Sequence, residues 1–192
     1  MVEYPSENWR DYALIDSGNG EKLERFGSYI MARPEPKALW TPSLSPEQWD
    51  AKMHTRFTPG AGFGKAGKED VGTWSKAKRM DEQWRIVYPG LQKGLRLDLR
   101  LGLTSFKHVG VFPEQAPNWE FIFRQCSSLA DRAKAASAPA PKVLNLFAYT
   151  GGASLAARAA GADVTHLDSV RQVVNWARGN MDNSGMDGIH WV

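Results

Sequence analysis

The segment Val143-Leu144-Asn145-Leu146-Phe147-Ala148-Tyr149-Thr150-Gly151-Gly152 constrains the fold more than any other part of the chain. An apolar run of strand length, Val143–Phe147, reads as a buried strand and passes through a glycine pair into the small residues of Gly152–Ala160, which read as a helix ended by Gly161. Asp163–Leu167 follows as a second strand. Ser169 is placed to cap a helix from Val170 to about Asp182, with Val173, Val174, Trp176, Ala177, Asn180 and Met181 mostly on one side and Gly185 closing it. Ile189–Val192 then begins a third strand. Strand, helix, strand, helix, strand is the pattern of a doubly wound parallel sheet. The expected fold class is therefore α/β, the first half of a Rossmann-like parallel sheet, preceded by a β-rich N-terminal extension.

Upstream, Trp119, Ile122, Cys126, Leu129 and Ala133 recur at steps of three and four, the stripe of an amphipathic helix that Pro117 or Asn118 would start. Leu95-Arg96-Leu97-Asp98-Leu99-Arg100-Leu101 alternates strictly, which puts every leucine on one face of a half-buried antiparallel strand. Trp84–Tyr88 is strand-like. Nearer the start, Tyr12–Asp16, Lys22–Phe26 and Tyr29–Arg33 read as strands. Asn19-Gly20 supplies the first hairpin turn, since both residue types tolerate positive φ, and Gly27-Ser28 supplies the second. Residues 34–83, rich in Pro, Gly and charge, are expected to be mostly irregular, with one short helix over Pro46–Met53 capped by Ser45. The expected division is residues 1–105 as the extension and 106–192 as the incomplete sheet domain.

Composition excludes several classes. With 192 residues and 42% hydrophobic content the chain has enough apolar surface for a core. It holds no run of about 18 apolar residues, so no membrane span is expected. Met1-Val2-Glu3-Tyr4-Pro5 lacks the basic and apolar regions of a secretory signal. One cysteine excludes an internal disulfide and a four-cysteine zinc site, and histidines at 54, 108, 166 and 190 show no helical ligand spacing, so no metal is expected and the implied setting is cytoplasmic. The net charge of +3 is carried by the N-terminal half, notably by Lys52, Arg56, Lys65, Lys68, Lys76, Lys78 and Arg79 against Glu69 and Asp70. That stretch, with Phe57, Phe63 and Trp74 as stacking groups, is a candidate for RNA contact, set against a solvated loop or hairpin.

The Gly151-Gly152 turn suits close approach of a ligand to outward N–H groups. Asp168, at the end of the next strand, stands where a carboxylate accepts the hydroxyls of a ribose. A dinucleotide turn places glycines in a Gly-x-Gly-x-x-Gly pattern, and here Phe147 and Tyr149 hold the first two of those positions. The bulk disfavours a pyrophosphate and suits a nucleoside cofactor without one, such as S-adenosyl-L-methionine.

Asn145–Gly152 and Thr165-His166-Leu167-Asp168 resemble the first two cofactor motifs of class I S-adenosylmethionine-dependent methyltransferases. More narrowly they resemble the branch containing bacterial 23S ribosomal RNA large-subunit methyltransferases. Phe106–Gln115 is similar to the segment of that branch beside the cofactor, departing from it at His108-Val109 and Pro113-Glu114. The resemblance covers residues 84–192 well and Tyr12–Trp40 more loosely. It implies that Thr150, Gly151 and Gly152 line the methionine and ribose side, that Phe147 and Tyr149 shape the turn, and that Asp168 takes the ribose hydroxyls. Ser169 would lie beside the adenine, and Phe112 and Gln115 would close over the methionyl end. Asn145 stands where many class I members carry an acid. The resemblance implies methyl transfer to a nucleophile, with ribosomal RNA as the substrate.

The remaining candidates have plainer readings beside the functional ones. Cys126, a candidate nucleophile, lies on the apolar stripe of its helix and reads as a buried small hydrophobe. His108 precedes the expected cofactor loop and is a candidate polar group of the site, Lys107 is a candidate contact for the cofactor carboxylate set against a solvated lysine, and His166, inside a strand, reads as core or sheet surface. The family's catalytic Asp/Asn-Pro-Pro tripeptide does not occur in these residues, so no catalytic residue is named, and the expectation is of a C-terminally truncated, marginally stable fragment. A non-catalytic nucleotide- or RNA-binding module is the second reading, and a nucleotide-dependent oxidoreductase the third.

Overall fold

A computed structural model describes residues 9–62, 64–65 and 71–192. The chain forms two compact units. One comprises Arg10–Ile86 with Leu101–Gly110, the other Met1–Trp9, Val87–Arg100 and Val111–Val192.

The first unit is built on a five-stranded sheet in the order β1-β2-β3-β4-β5: β1 Tyr12–Gly18, β2 Glu21–Phe26, β3 Tyr29–Pro34, β4 Thr55–Pro59 and β5 Gly72–Lys76. Asn19 (φ 51°) and Gly20 (φ 79°) make the β1–β2 turn as the sequence requires, and Gly27 (φ 63°) turns β2 into β3. The short helix α1, Pro46–Lys52, starts at Ser45 with a complete capping box: Ser45 Oγ accepts from Gln48 N–H, and Ser45 N–H donates to Gln48 Oε1 at 2.8 Å.

Strands β4 and β5 correct the expectation of irregular structure across 34–83. Phe57 pairs with Trp74 in an antiparallel hairpin, and β4 joins β3 in parallel through Met31↔Thr55. That parallel pairing spans a long connection, so nothing local in the sequence announces it. Phe63, Gly67, Lys68, Glu69 and Asp70 of the basic stretch lie outside the described residues.

Two buried polar devices hold this unit. A shift in register between Leu14 and Asp16 re-aims β1 and buries Asp16. Its carboxylate accepts from the N–H groups of Ser17 (2.9 Å), Ser43 (3.1 Å) and Leu44 (2.9 Å) and from Trp49 Nε1 (2.8 Å). Burial alone would push its pKa up, but the hydrogen bonds from Trp49 and the three backbone groups outweigh it, and the net shift is downward. Glu24 meets Arg33 on the neighbouring strand, with Arg33 Nη2 donating at 2.6 Å and Nε at 2.9 Å, and Tyr12 donates to the other carboxylate oxygen at 3.0 Å. Leu23, Ala32, Trp49 and Met53 form the core between sheet and α1.

In the second unit α2, Ala116–Ala135, follows a 3-10 turn at Pro113–Gln115. It starts one residue before Pro117, which sits in the first turn where its missing N–H costs nothing. Trp119 and Cys126 are buried as the stripe requires, whereas Leu129 remains 48% exposed. Trp9, Tyr88 and Trp119 pack edge to face with centroids 4.9, 5.4 and 6.0 Å apart. Tyr88 donates to Glu120 at 2.6 Å, and burial together with that carboxylate raises the phenol pKa.

The parallel sheet runs β10-β9-β8: β8 Lys142–Leu146, β9 Asp163–Leu167 and β10 Ile189–Trp191, with α3 Gly152–Ala159 and α4 Arg171–Asn183 as the crossovers. This is the expected α/β arrangement. Two details differ. Val143–Phe147 is not a buried strand: β8 is an edge among the described residues, Leu144 is 60% and Leu146 50% exposed, and Phe147 lies beyond the strand. Ser169 does not cap α4. The N-cap is Val170, whose N–H donates to Asp168 Oδ1 at 3.0 Å.

Strands β6, Gln83–Tyr88, and β7, Leu97–Gly102, form a two-stranded sheet. Leu97, Leu99 and Leu101 are buried as the alternation demands, with Leu95 just ahead of the strand. Asp98 is buried as well, so β7 is covered on more than its leucine face.

Asp16→Ala removes an acceptor shared by four donors, of which Trp49 Nε1 is left buried without a partner. We expect a loss of about 2–3 kcal/mol in urea unfolding. Because the native pKa lies below the ordinary value of 3.8, the contribution of Asp16 is present above that pH and lost as pH falls through the depressed native value; the pH dependence of unfolding in wild type against Asp16→Ala checks it.

Candidate functional site

The turn between β8 and α3 is held in an unusual backbone. Phe147 (φ 53°), Tyr149 (φ 52°) and Gly151 (φ 94°) all lie in the left-handed region. For the two aromatic residues this costs on the order of 1–3 kcal/mol each. The positions that a dinucleotide motif fills with glycine thus keep the glycine conformation here while carrying rings. The surroundings hold the turn in place. Tyr149 N–H donates to Asp168 Oδ2 at 2.9 Å, Ala148 N–H to the Leu167 carbonyl at 3.1 Å, and Asn180 Nδ2 to the Thr150 carbonyl at 2.9 Å.

The turn walls a cavity of about 320 Å³. Phe112, Gln115, Phe147, Tyr149, Thr150 and Gly152, all singled out from sequence, line it together. The Phe112 and Tyr149 rings lie 4.9 Å apart at 43°, and Gln115 Oε1 accepts from Asn118 Nδ2 at 2.9 Å. Gly151 caps α3 from behind the wall, where a Cβ would lie 3.1 Å from Ala177 Cβ. Asp168 and Ser169 line a neighbouring depression of about 290 Å³ with Arg171, Asn175 and Arg178. Asp168 therefore joins the two: one oxygen holds the turn, the other the start of α4, and lone pairs remain for a ligand hydroxyl.

Several residues of this site carry no motif. Trp119 forms the cavity wall opposite Gly152, and a Cβ on Gly152 would lie 2.7 Å from its indole Cε2 and Nε1. Glycine is thus required here for close approach of the ring. Asn180 is fully buried and uses its whole amide: Nδ2 holds Thr150, and Oδ1 accepts from Arg100 N–H of β7 at 2.8 Å. Beneath the turn, Asn145 Nδ2 donates to Ser154 Oγ at 2.9 Å, and Ser154 Oγ lies 3.0 Å from His166 Nδ1. Periodicity placed Asn180 on an apolar face and His166 inside a strand; His166 also falls within the second motif, whereas an interrupted stripe is the only sequence signal for Asn180.

The other candidates are engaged locally. Lys107 and His108 belong to the first unit, where the Lys107 carbonyl accepts from Arg33 and the His108 carbonyl from Thr104. Burial pushes the Cys126 thiol pKa up, which suppresses the thiolate a nucleophile needs. Phe57 is 1% exposed, on the inner face of β4, so it is no open stacking platform, and Trp74 packs on it at 5.1 Å and donates to the Phe106 carbonyl. Arg56 pairs with Glu21 at 2.7 Å, Lys76 with Glu82, and Lys78 donates to the Ala51 carbonyl, so much of the basic stretch is engaged within its own unit. Among the described residues no group of three or more His, Cys, Asp or Glu is arranged to hold a metal, and no helix is long and apolar enough to cross a membrane.

Comparison with known proteins bears on this geometry. No protein-family profile matches the chain. The structure of a SAM-dependent methyltransferase from Agrobacterium tumefaciens superposes on 100% of this chain at 37% identity and a TM-score of 0.77. The chain has the fold of the S-adenosylmethionine-dependent methyltransferases. A putative SAM-dependent methyltransferase from Streptococcus mutans, and a putative methyltransferase solved with S-adenosylhomocysteine, each share the fold over 97% of this chain at 16% identity and a TM-score of 0.64. In sequence, the ribosomal RNA large subunit methyltransferase K/L of Magnetococcus marinus is 32% identical over 95 residues, and that of Shewanella frigidimarina 34% over 93. The chain spans 55% of the Agrobacterium structure and 12% and 11% of those two curated relatives.

Two outcomes are expected. Gly152→Ala forces Trp119 out of a packed aromatic cluster, costing about 1–3 kcal/mol in thermal unfolding and reshaping the cavity wall. Burial lowers the His166 pKa from its ordinary 6.5, outweighing Asp168 and the Tyr149 backbone, which act the other way. The unfolded chain takes up that proton first, so stability falls as pH drops below about 6.5 toward the native value. His54 is shifted the same way by burial and by Lys78. A His166→Phe variant, compared with wild type by unfolding at several pH values, isolates the His166 share as a flatter acid limb.

Proposed function

We propose that this chain is the cofactor-binding part of an S-adenosylmethionine-dependent methyltransferase acting on RNA. The observation that carries the reading is the turn itself: six of the nine residues singled out for a cofactor line one cavity, and Asp168 ties it to the depression beside the next strand.

The residues fit the group by their chemistry. A cavity of about 320 Å³ is at the lower end of small-molecule sites. The aromatic pair Phe112–Tyr149 with Gln115 suits an amino-acid end bearing an apolar thioether or sulfonium. Thr150, Gly151 and Gly152 present the start of α3 to the middle of the ligand. Asp168 accepts from vicinal hydroxyls, and Ser169 borders the place for a base. The bound cofactor supplies an electrophilic methyl group. The contribution of these residues is to fix its position and exclude water, so that an acceptor approaches in line and part of the barrier is removed by placement. The RNA assignment follows the names of the curated relatives, whose matches cover about half of this chain.

Calorimetric titration of the 192-residue chain with S-adenosylhomocysteine and, separately, NAD tests the reading. We expect saturable binding of the first and none of the second. Asp168→Asn, which weakens an acceptor without removing the side chain, should lower S-adenosylhomocysteine affinity about tenfold. Binding of NAD in its place would replace the methyltransferase reading with the oxidoreductase one.

A further inference from the structure

Asn145 is a wall of the cavity that the turn shapes, and its amide has two faces, a donor and an acceptor. Which one meets the ligand is decided behind the wall. Nδ2 donates to Ser154 Oγ at 2.9 Å, and Ser154 Oγ lies 3.0 Å from His166 Nδ1. Ser154 and His166 are both fully buried, so bulk water does not enter this chain of bonds.

We propose that Ser154 and His166 are positioning residues that set the direction of the Asn145 amide, so that its carbonyl oxygen is offered to the cavity as the acceptor for a ligand ammonium group. The ligand half of this rests on the cofactor reading above, whose amino-acid end carries that ammonium.

Counting protons along the chain of bonds distinguishes two arrangements. Ser154 has one hydroxyl hydrogen. With His166 neutral and its proton on Nε2, Nδ1 is an acceptor and the serine donates to it. The serine oxygen then accepts from Asn145 Nδ2, and Oδ1 is left for the cavity. With a proton on Nδ1, the ring donates to the serine and the serine hydrogen is released from the ring. The hydrogen is then able to bind Asn145 Oδ1, with the NH2 turned to the cavity where it opposes a cation, so the amide direction is no longer fixed.

The surroundings favour the first. Burial keeps the ring neutral. Nε2 is buried with no hydrogen-bond partner among the described residues, and the placement of Asn145 Nδ2 on Ser154 Oγ is the observation that favours Nδ1 as the acceptor. Trp191 of β10 packs on the ring at 4.8 Å, and Asp168, just past the end of β9, is the charge that acts on it. His190 of β10 is engaged with Asp163 at 3.2 Å. From α3 and β8 the ring's neighbours in the chain of bonds are the neutral Ser154 and Asn145. The arrangement also accounts for an amide where an acid is common: a directed carbonyl is an acceptor without a charge to desolvate.

Two measurements test this. Nitrogen-15 NMR of the imidazole in the intact chain reads the tautomer directly. An unprotonated Nδ1 at neutral pH is expected, and a protonated Nδ1 overturns the relay whatever the cofactor. Titrations with S-adenosylhomocysteine, which has the ammonium, and with 5′-methylthioadenosine, which lacks the amino-acid end, read the ligand half. His166→Phe and Ser154→Ala should weaken S-adenosylhomocysteine about tenfold and leave 5′-methylthioadenosine within twofold, while Ser154→Thr, which keeps the hydroxyl, should restore the first. Equal weakening of both compounds means a general loosening of the site and overturns the proposal. Binding of neither by the wild-type chain overturns the cofactor reading and the ligand half with it, and leaves the tautomer measurement to decide the relay.

Discussion

Everything at the candidate site depends on one carboxylate holding a strained turn. Phe147 and Tyr149 adopt backbone angles that residues with a Cβ avoid, and neither has a local reason to stay there. Asp168 supplies the reason from the next strand. It accepts from Tyr149 N–H with one oxygen and from Val170 N–H with the other, so the cofactor turn and the start of α4 are fixed by one side chain. The Leu167 carbonyl and Asn180 add two more ties on either side. Strain persists where the surroundings over-determine it, and here three segments do.

The wall opposite the turn is rigid for a different reason. Trp119 approaches Gly152 so closely that no Cβ fits, and behind it Trp9 and Tyr88 pack edge to face. Glu120 then binds the Tyr88 hydroxyl and the Leu91 N–H, at 2.6 and 2.7 Å, which ties the aromatic cluster to the loop after β6. A cavity bounded by a hydrogen-bonded turn on one side and interlocked rings on the other is preorganised, and its shape does not wait for the ligand.

Much of this was legible in the sequence because it is local. The Asn19-Gly20 turn, the Ser45 cap, β9 and the end of α3 at Gly161 all follow from residues within one turn or one strand of each other. The errors share a cause as well. Strand β4 pairs in parallel with β3, far back in the chain, and its short alternation over Thr55–Phe57 was hidden among Pro and Gly. Strand β8 looked buried because apolar residues usually are, yet Leu144 and Leu146 face outward at the edge of the described sheet. Phe57 looked like a stacking group on composition, and the pleat turned it inward.

The sequence by itself determined the order of elements outside residues 34–83, the place of the glycine turn and the residue types offered to a ligand, because periodicity and turn chemistry act over a few residues. Only the tertiary structure decided which of those residues share a cavity, that bulky residues hold glycine-like angles, and that Asn180, Ser154 and His166 stand behind the site. These outcomes depend on hydrogen bonds between groups 12 to 80 residues apart, which carry no local pattern. The two levels meet at Asp168: its position after a strand was readable, but the backbone groups it holds were not.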